Sequence, residues 1–143
     1  MRLRYDAGVA YRQVQLPRVI ADRGSVFGAT LFPVGTLDDV RAVLARLTRE
    51  KEFRSATHNV VAYRLLGPDG QLVEQKDDGV GGHRREPGAG RVVLEVLRAK
   101  DAVGALVVVS RHFGGVKLGG DRFRHFAAAA AMAVDAASGP ARR

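Results

Sequence analysis

The sequence predicts an α/β (α+β) fold: a two-layer sandwich in which a mixed β-sheet carries its helices on one face. Three observations lead there. Strand-like pieces fill the first part of the chain, and amphipathic helical stretches alternate with strands after it. The nearly unbroken apolar run Ala105-Leu106-Val107-Val108-Val109 reads as a central strand covered on both faces. With 143 residues and 46% hydrophobic content, the simplest organisation is one domain over 1–137 followed by a flexible basic tail over 138–143. A chain of that size buries about two-thirds of its unfolded surface.

Residues 1–35 alternate apolar and polar types around Val9, Tyr11 and Val14, then Val26-Phe27 and Leu31-Phe32, which predicts two or three antiparallel strands. Thr36 can cap a helix running to Phe53, and Asp38 and Asp39 suit its positive end. Leu37, Val40, Val43, Leu44 and Leu47 recur at helical spacing, so Leu44 is expected to be buried against the sheet. A strand over Val60–Leu66 ends at the turn Gly67-Pro68-Asp69-Gly70 and resumes over Gln71–Glu74. The Gly-rich stretch 76–90 is expected to be an exposed loop, with Val80–Arg85 mobile and dispensable for folding. A short helix over Gly90–Lys100 turns Val93, Leu94, Val96 and Leu97 inward. The central strand spans Gly104–Phe113, and a last helix, Arg122–Ala137, packs its alanines, Ala130 among them, on the same face as the first helix.

The charge is lopsided: 23 Lys and Arg against 15 Asp and Glu, a formal +8. Such an excess favours polyanions, whether RNA, ribosomes or anionic membrane surface. Nineteen of the cations are Arg, whose fork matches phosphate oxygens, although a genome preferring Arg codons explains that choice equally well. With no cysteine there is no disulfide or thiolate metal site, which fits a cytoplasmic protein. No apolar run is long enough to span a membrane, and the N-terminus lacks a signal-peptide stretch, so no membrane association is expected. Histidine spacing shows no metal site, and no cofactor is expected.

Arg111-His112-Phe113-Gly114-Gly115-Val116-Lys117-Leu118-Gly119 follows the central strand and leads into the last helix. Gly114 and Gly115 let the backbone approach a partner closely, and Arg111 and Lys117 bracket them with positive charge before a helix N-terminus. One reading is a phosphate site; the other is a tight connection with solvated charges. His58, between Thr57 and Asn59 at a strand entrance, either faces a cleft or makes a structural hydrogen bond. Asp77, Asp78 and Glu86 are the candidate carboxylates: the adjacent aspartates can hold Mg²⁺ through water or act as general bases, or can equally make an Asx-type turn.

The same stretches resemble the Impact/YigZ family. Arg111–Gly119 resembles its RYFGGIKLG signature, and Ala56-Thr57-His58-Asn59-Val60-Val61-Ala62-Tyr63-Arg64 its ATHNCWAYR. Asp77-Asp78-Gly79 with Glu86-Pro87-Gly88-Ala89-Gly90 resembles its DDGEPSGTAG, and Ser25-Val26-Phe27 fits its early SRF element. The motifs keep the family's order over about residues 20–137. Two departures stand out. Val80–Arg85 is inserted between the aspartates and Glu86, and the Gly-rich turn after Gly119 is one residue short, which still lets Arg124 match the family's Arg. The resemblance implies the fold of the second domain of a small-subunit ribosomal protein, also found in domain IV of elongation factor G, and a link to translational regulation.

The resulting expectation is a non-enzymatic domain associated with nucleic acid or ribosomes in the control of translation. Arg111, Lys117, Arg122 and Arg124 are the expected phosphate contacts. Gly114 and Gly115 admit the backbone, and His58 or Phe113 meets a base or ribose. The alternative is a small enzyme or binder of a phosphorylated metabolite, with Asp77 and Asp78 serving a metal and Arg111 and Lys117 clamping phosphate. No nucleophile with a base partner is evident in the sequence, which ranks this second. A protein partner in translational control is a third reading.

Overall fold

The computed structural model describes residues 11–138. The elements run β1 (Val14–Asp22), β2 (Ser25–Pro33), α1 (Leu37–Arg49), α2 (Lys51–Arg54), β3 (His58–Leu66), β4 (Leu72–Asp77), α3 (Ala89–Ala99), β5 (Ala105–His112) and α4 (Asp121–Ala137). The expected strand residue Val9 and the tail beyond Ser138 lie outside the described residues.

Five strands form one sheet in the order β1-β2-β5-β3-β4. Every neighbouring pair is antiparallel, so the sheet is not mixed as the sequence led us to expect. The reason is topological. The crossovers through α1 and α3 do join parallel strands, β2 to β3 and β4 to β5. Each of them skips one position, and an antiparallel strand fills the gap.

The helices also divide between both faces, which corrects the two-layer, one-face arrangement. α3 and α4 pack on Phe27, Ala29, Val60, Ala62, Val107 and Val109. α1 and Phe53 of α2 pack on the alternate residues Phe32, Val61, Leu65, Leu106 and Val108. Because strand side chains alternate between faces, these two sets lie on opposite sides of the sheet. The two crossovers move in opposite directions between strands of opposite sense. Equal hands would therefore place both helices on one face, and the observed split means that one crossover has the uncommon left hand.

Local chemistry explains the helix boundaries. Thr36 caps α1 as expected: its hydroxyl accepts from the Asp39 amide at 3.1 Å, and Asp39 reaches back to the Thr36 amide, completing a capping box. The helix breaks at Glu50, whose ψ of 133° is extended, instead of running through to Phe53. Val40, Val43 and Leu47 are buried, while Leu44 is half-buried and Leu37 exposed, so the apolar stripe is narrower than its sequence pattern. Ala130 is fully buried in α4. β5 is covered on both faces as expected, with Ala105 through Val109 inaccessible. Two buried polar side chains close the remaining seams. Asn59 donates to the Phe53 carbonyl at 2.7 Å, and Arg64 donates to the carbonyls of Leu97 and Ala102 at the end of α3.

β1 and β2 join through the two-residue turn Arg23-Gly24, both at positive φ (47° and 89°), the signature of a type I′ hairpin. Arg23 is held there by ion pairs to Asp22 and to Asp121 at the start of α4, at 3.0 and 2.9 Å.

The loop Val80–Arg85 does not project freely. The Val80 amide donates to the Asn59 carbonyl at 2.9 Å, His83 to Ala56 at 3.2 Å and Arg84 to Thr57 at 2.8 Å, while the Val80 side chain joins the α1 cluster. Gly81 presses on the end of α1, where a Cβ would fall 2.2 Å from the Leu47 carbonyl oxygen. Its glycines serve docking, which composition alone read as looseness. Deleting Val80–Arg85 should lower the melting temperature by about 5 °C or more, given roughly 1.5 kcal/mol or more of lost burial and bonding. An unchanged melting curve would show that the loop does not pack. Leu47→Ala should cost about 2–5 kcal/mol in chemical denaturation, and the half-buried Leu44→Ala clearly less.

Candidate functional site

β3 and β5 run antiparallel, so the first residue of one lies beside the last turn of the other, and His58 pairs directly with Arg111 in register. The ladder thus joins two motifs that are far apart in sequence. A cleft of about 340 Å³ opens at this end of the sheet. His58, Glu86 and Arg111 line its inner part; Phe113, Lys117, Leu118 and Gly119 come from the β5–α4 connection, Arg122 from the first turn of α4, and Arg84 and Arg85 from the docked loop.

Glu86 organises the interior. It is 7% exposed, and its two oxygens accept from Arg122 Nε at 3.0 Å and Arg111 Nη1 at 3.3 Å. Arg111 also donates through Nη2 to Ser25 Oγ at 3.1 Å, and Ser25 Oγ accepts the Gly114 amide at 3.2 Å. Arg111 is therefore buried, at 3% exposure, contrary to the expectation that it is a solvated phosphate contact. Its side chain is drawn inward by one carboxylate and one hydroxyl, with its guanidinium 5.4 Å from the centres of the Phe27 and Phe113 rings. Burial, and secondarily Arg122, push its pKa down, but a guanidinium remains charged. Among the described residues its Nε has no hydrogen-bond partner.

His58 Nδ1 lies 3.2 Å from the Arg84 carbonyl, an acceptor, so Nδ1 must carry the proton in that bond. Nε2 then faces Glu86 Oε2 at 3.6 Å. Desolvation lowers the His58 pKa, and this outweighs the opposing pull of Glu86. At 3.6 Å, Nε2 and Oε2 are too far apart for a direct hydrogen bond and too close to admit a third atom on the line between them.

The remaining expected residues separate. Lys117 is exposed at the mouth, and Arg122 is half-buried above the Phe123 ring, 4.3 Å from its centre. Arg124 is exposed and pairs with Asp121 at 3.2 Å, off the cleft lining. Gly114 packs against the β1–β2 turn, where a Cβ would sit 2.1 Å from the Gly24 carbonyl carbon, so its close approach is to the protein itself. Gly115 takes the left-handed φ of 92° that the turn needs. Asp77 accepts from the Gly79 amide at 2.9 Å in an Asx-type turn and pairs with Arg85. Asp78 accepts from the Gly88 and Gly90 amides at 3.2 and 2.8 Å, serving the first turn of α3. Neither aspartate lines the cleft, and among the described residues no group of three or more His, Asp or Glu is placed to hold a metal ion. Sequence reasoning missed Arg84 and Arg85, whose loop it read as mobile, and the bridging role of Ser25, whose only signal was its place in a short motif.

The cleft charge is strongly positive: five Arg and Lys side chains surround one carboxylate. Among the described residues no helix is long and apolar enough to cross a membrane.

Comparison with known proteins places these residues in a family. Protein IMPACT of Rattus norvegicus is 44% identical over 108 residues, which is 74% of this chain and 32% of that protein. The Protein IMPACT homolog of Schizosaccharomyces pombe is 38% identical over 115 residues, 80% of this chain and 39% of that protein. The chain thus spans about a third of the length of these relatives. Among solved structures, the two-domain translational regulator Yih1 superposes with a TM-score of 0.54 at 31% identity, over 88% of this chain and 45% of that one. A hypothetical protein superposes with a TM-score of 0.62 at 22% identity, which shows the shared fold. The family profile described as the Impact N-terminal domain matches residues 23–134, a span that includes every residue lining the cleft, and the chain belongs to that family.

Proposed function

We propose that this domain acts in the control of translation by binding RNA, free or ribosomal, through the basic cleft, without catalysing a reaction. The observation that carries the reading is the convergence of Arg84, Arg85, Lys117 and Arg122 on one opening. They come from two segments, the loop before α3 and the β5–α4 region, that the fold brings to the same end of the sheet. Yih1, which shares the fold, is described as a translational regulator, and this supports the same setting here. Phosphate contact falls to Lys117, Arg84, Arg85 and Arg122, while buried Arg111 supports them from beneath. A protein partner in translational control is compatible with the same surface and is tested by the same charge variants.

Binding to single-stranded RNA should weaken with salt at about −0.7 log units per log unit of salt for each phosphate contacted. Lys117→Ala with Arg85→Ala should flatten that slope by about one to two contacts, measured by fluorescence anisotropy across a salt series. Arg41→Ala with Arg49→Ala removes the same charge from α1, on the opposite face of the sheet, and should leave the slope unchanged. Equal losses from both pairs would reduce the effect to bulk charge. Undetectable RNA and ribosome binding at low salt would refute the reading.

Glu86 should prove structural as well as functional. Glu86→Ala leaves Arg111 buried without its counter-charge and should destabilise by about 3–5 kcal/mol in urea unfolding, with Glu86→Gln intermediate. A neutral result for Glu86→Ala would mean that Arg111 finds another partner.

A further inference from the structure

The cleft has an interior and a rim, and they differ chemically. His58, Glu86 and Arg111 are almost wholly buried, while Lys117 and Phe113 are exposed, Phe113 by 41%. An uninterrupted ribose-phosphate backbone lying across the mouth meets only the rim. Contact with the interior requires a group that enters end-first.

The interior is short of acceptors. Arg111 and Arg122 share a single carboxylate, and Arg111 Nε has no partner among the described residues. That N–H is enclosed by protein, so it adds positive charge beneath the cleft rather than a contact for a ligand. His58 Nε2 adds a position that accepts a hydrogen bond when neutral and donates one when protonated. At the mouth, Phe113 is a large apolar side chain left in solvent beside these cations, with the Arg111 guanidinium near its ring. An exposed aromatic next to a phosphate site is suited to stacking a base. The volume of about 340 Å³ is at the lower end of the range for small-ligand sites.

We propose that the cleft binds a nucleotide by its terminal phosphate monoester, with the phosphate on Arg122 and Lys117 above the buried Arg111 and the base on Phe113. This rests on the RNA-binding reading above and makes it more specific: the preferred ligand is a phosphorylated end. A monoester carries close to two negative charges at neutral pH, against one for a backbone diester, and so better matches the excess of cations.

The test is competition against a labelled single-stranded RNA probe. The competitors are unlabelled decamers of one sequence carrying a 5′-phosphate, a 3′-phosphate or no terminal phosphate, together with AMP. One phosphorylated end should compete about tenfold better than the unphosphorylated decamer, the gain expected from one added charge-assisted contact. AMP should compete as well. Lys117→Ala should abolish the preference, and so should Phe113→Leu, which keeps an apolar side chain without a ring; both positions are exposed, so folding is preserved. Equal competition by all three decamers would overturn the inference while leaving RNA binding intact. Calorimetric binding of AMP with no binding of any RNA would support the nucleotide site and overturn the RNA reading. Absence of both would overturn both.

Discussion

One buried carboxylate holds the cleft end of this domain together. Glu86 arrives on a loop and meets a guanidinium from the end of β5 and another from the first turn of α4, with a β3 imidazole facing it. Removing charges from water costs more than a generic packing contact, and such clusters seldom add net stability over an apolar core. What they add is position. Each partner has one arrangement that satisfies the others, so three segments distant in sequence are fixed relative to one another. Ser25 extends the network to the β1–β2 hairpin by accepting from both Arg111 and the Gly114 amide.

The placement of that carboxylate follows from the topology. Two crossovers that each skip a strand bring the start of β3 beside the end of β5, and their opposite hands put α1 on the face away from α3 and α4. The cleft therefore lies at one end of the sheet, walled by the β5–α4 connection and the loop before α3. The α1 face contributes to the core and, through Gly81 and Val80, to anchoring that loop.

Much of this was legible in the residues. Thr36 and the aspartates after it mark α1, the apolar run at Ala105–Val109 marks the central strand, and three motifs mark the family and most of the cleft. What escaped was relational. Periodicity shows that a helix has an apolar face but not which side of the sheet receives it, and the usual handedness of crossovers points to the wrong side for one of them. Arg111 looks like a surface cation because arginines mostly are; its burial depends on Glu86, separated from the aspartate motif by an insertion. The inserted residues read as a mobile loop because glycines and arginines have no core to fill. Their docking uses backbone amides and close approach, which leave little trace in composition.

The contact between Gly24 and Gly114 carries a consequence of a different kind. It is a meeting of two main chains with no side chain between them, so no substitution can trim it and almost any would prise it apart. Variation in the hairpin is thus constrained by shape where its chemistry alone would allow many residues. The turn over the cleft and the β1–β2 hairpin are in direct main-chain contact. A ligand seated against the β5–α4 connection therefore presses on a segment whose other side is the β1–β2 hairpin. A reporter on that hairpin sits one main-chain contact away from a cleft it does not line.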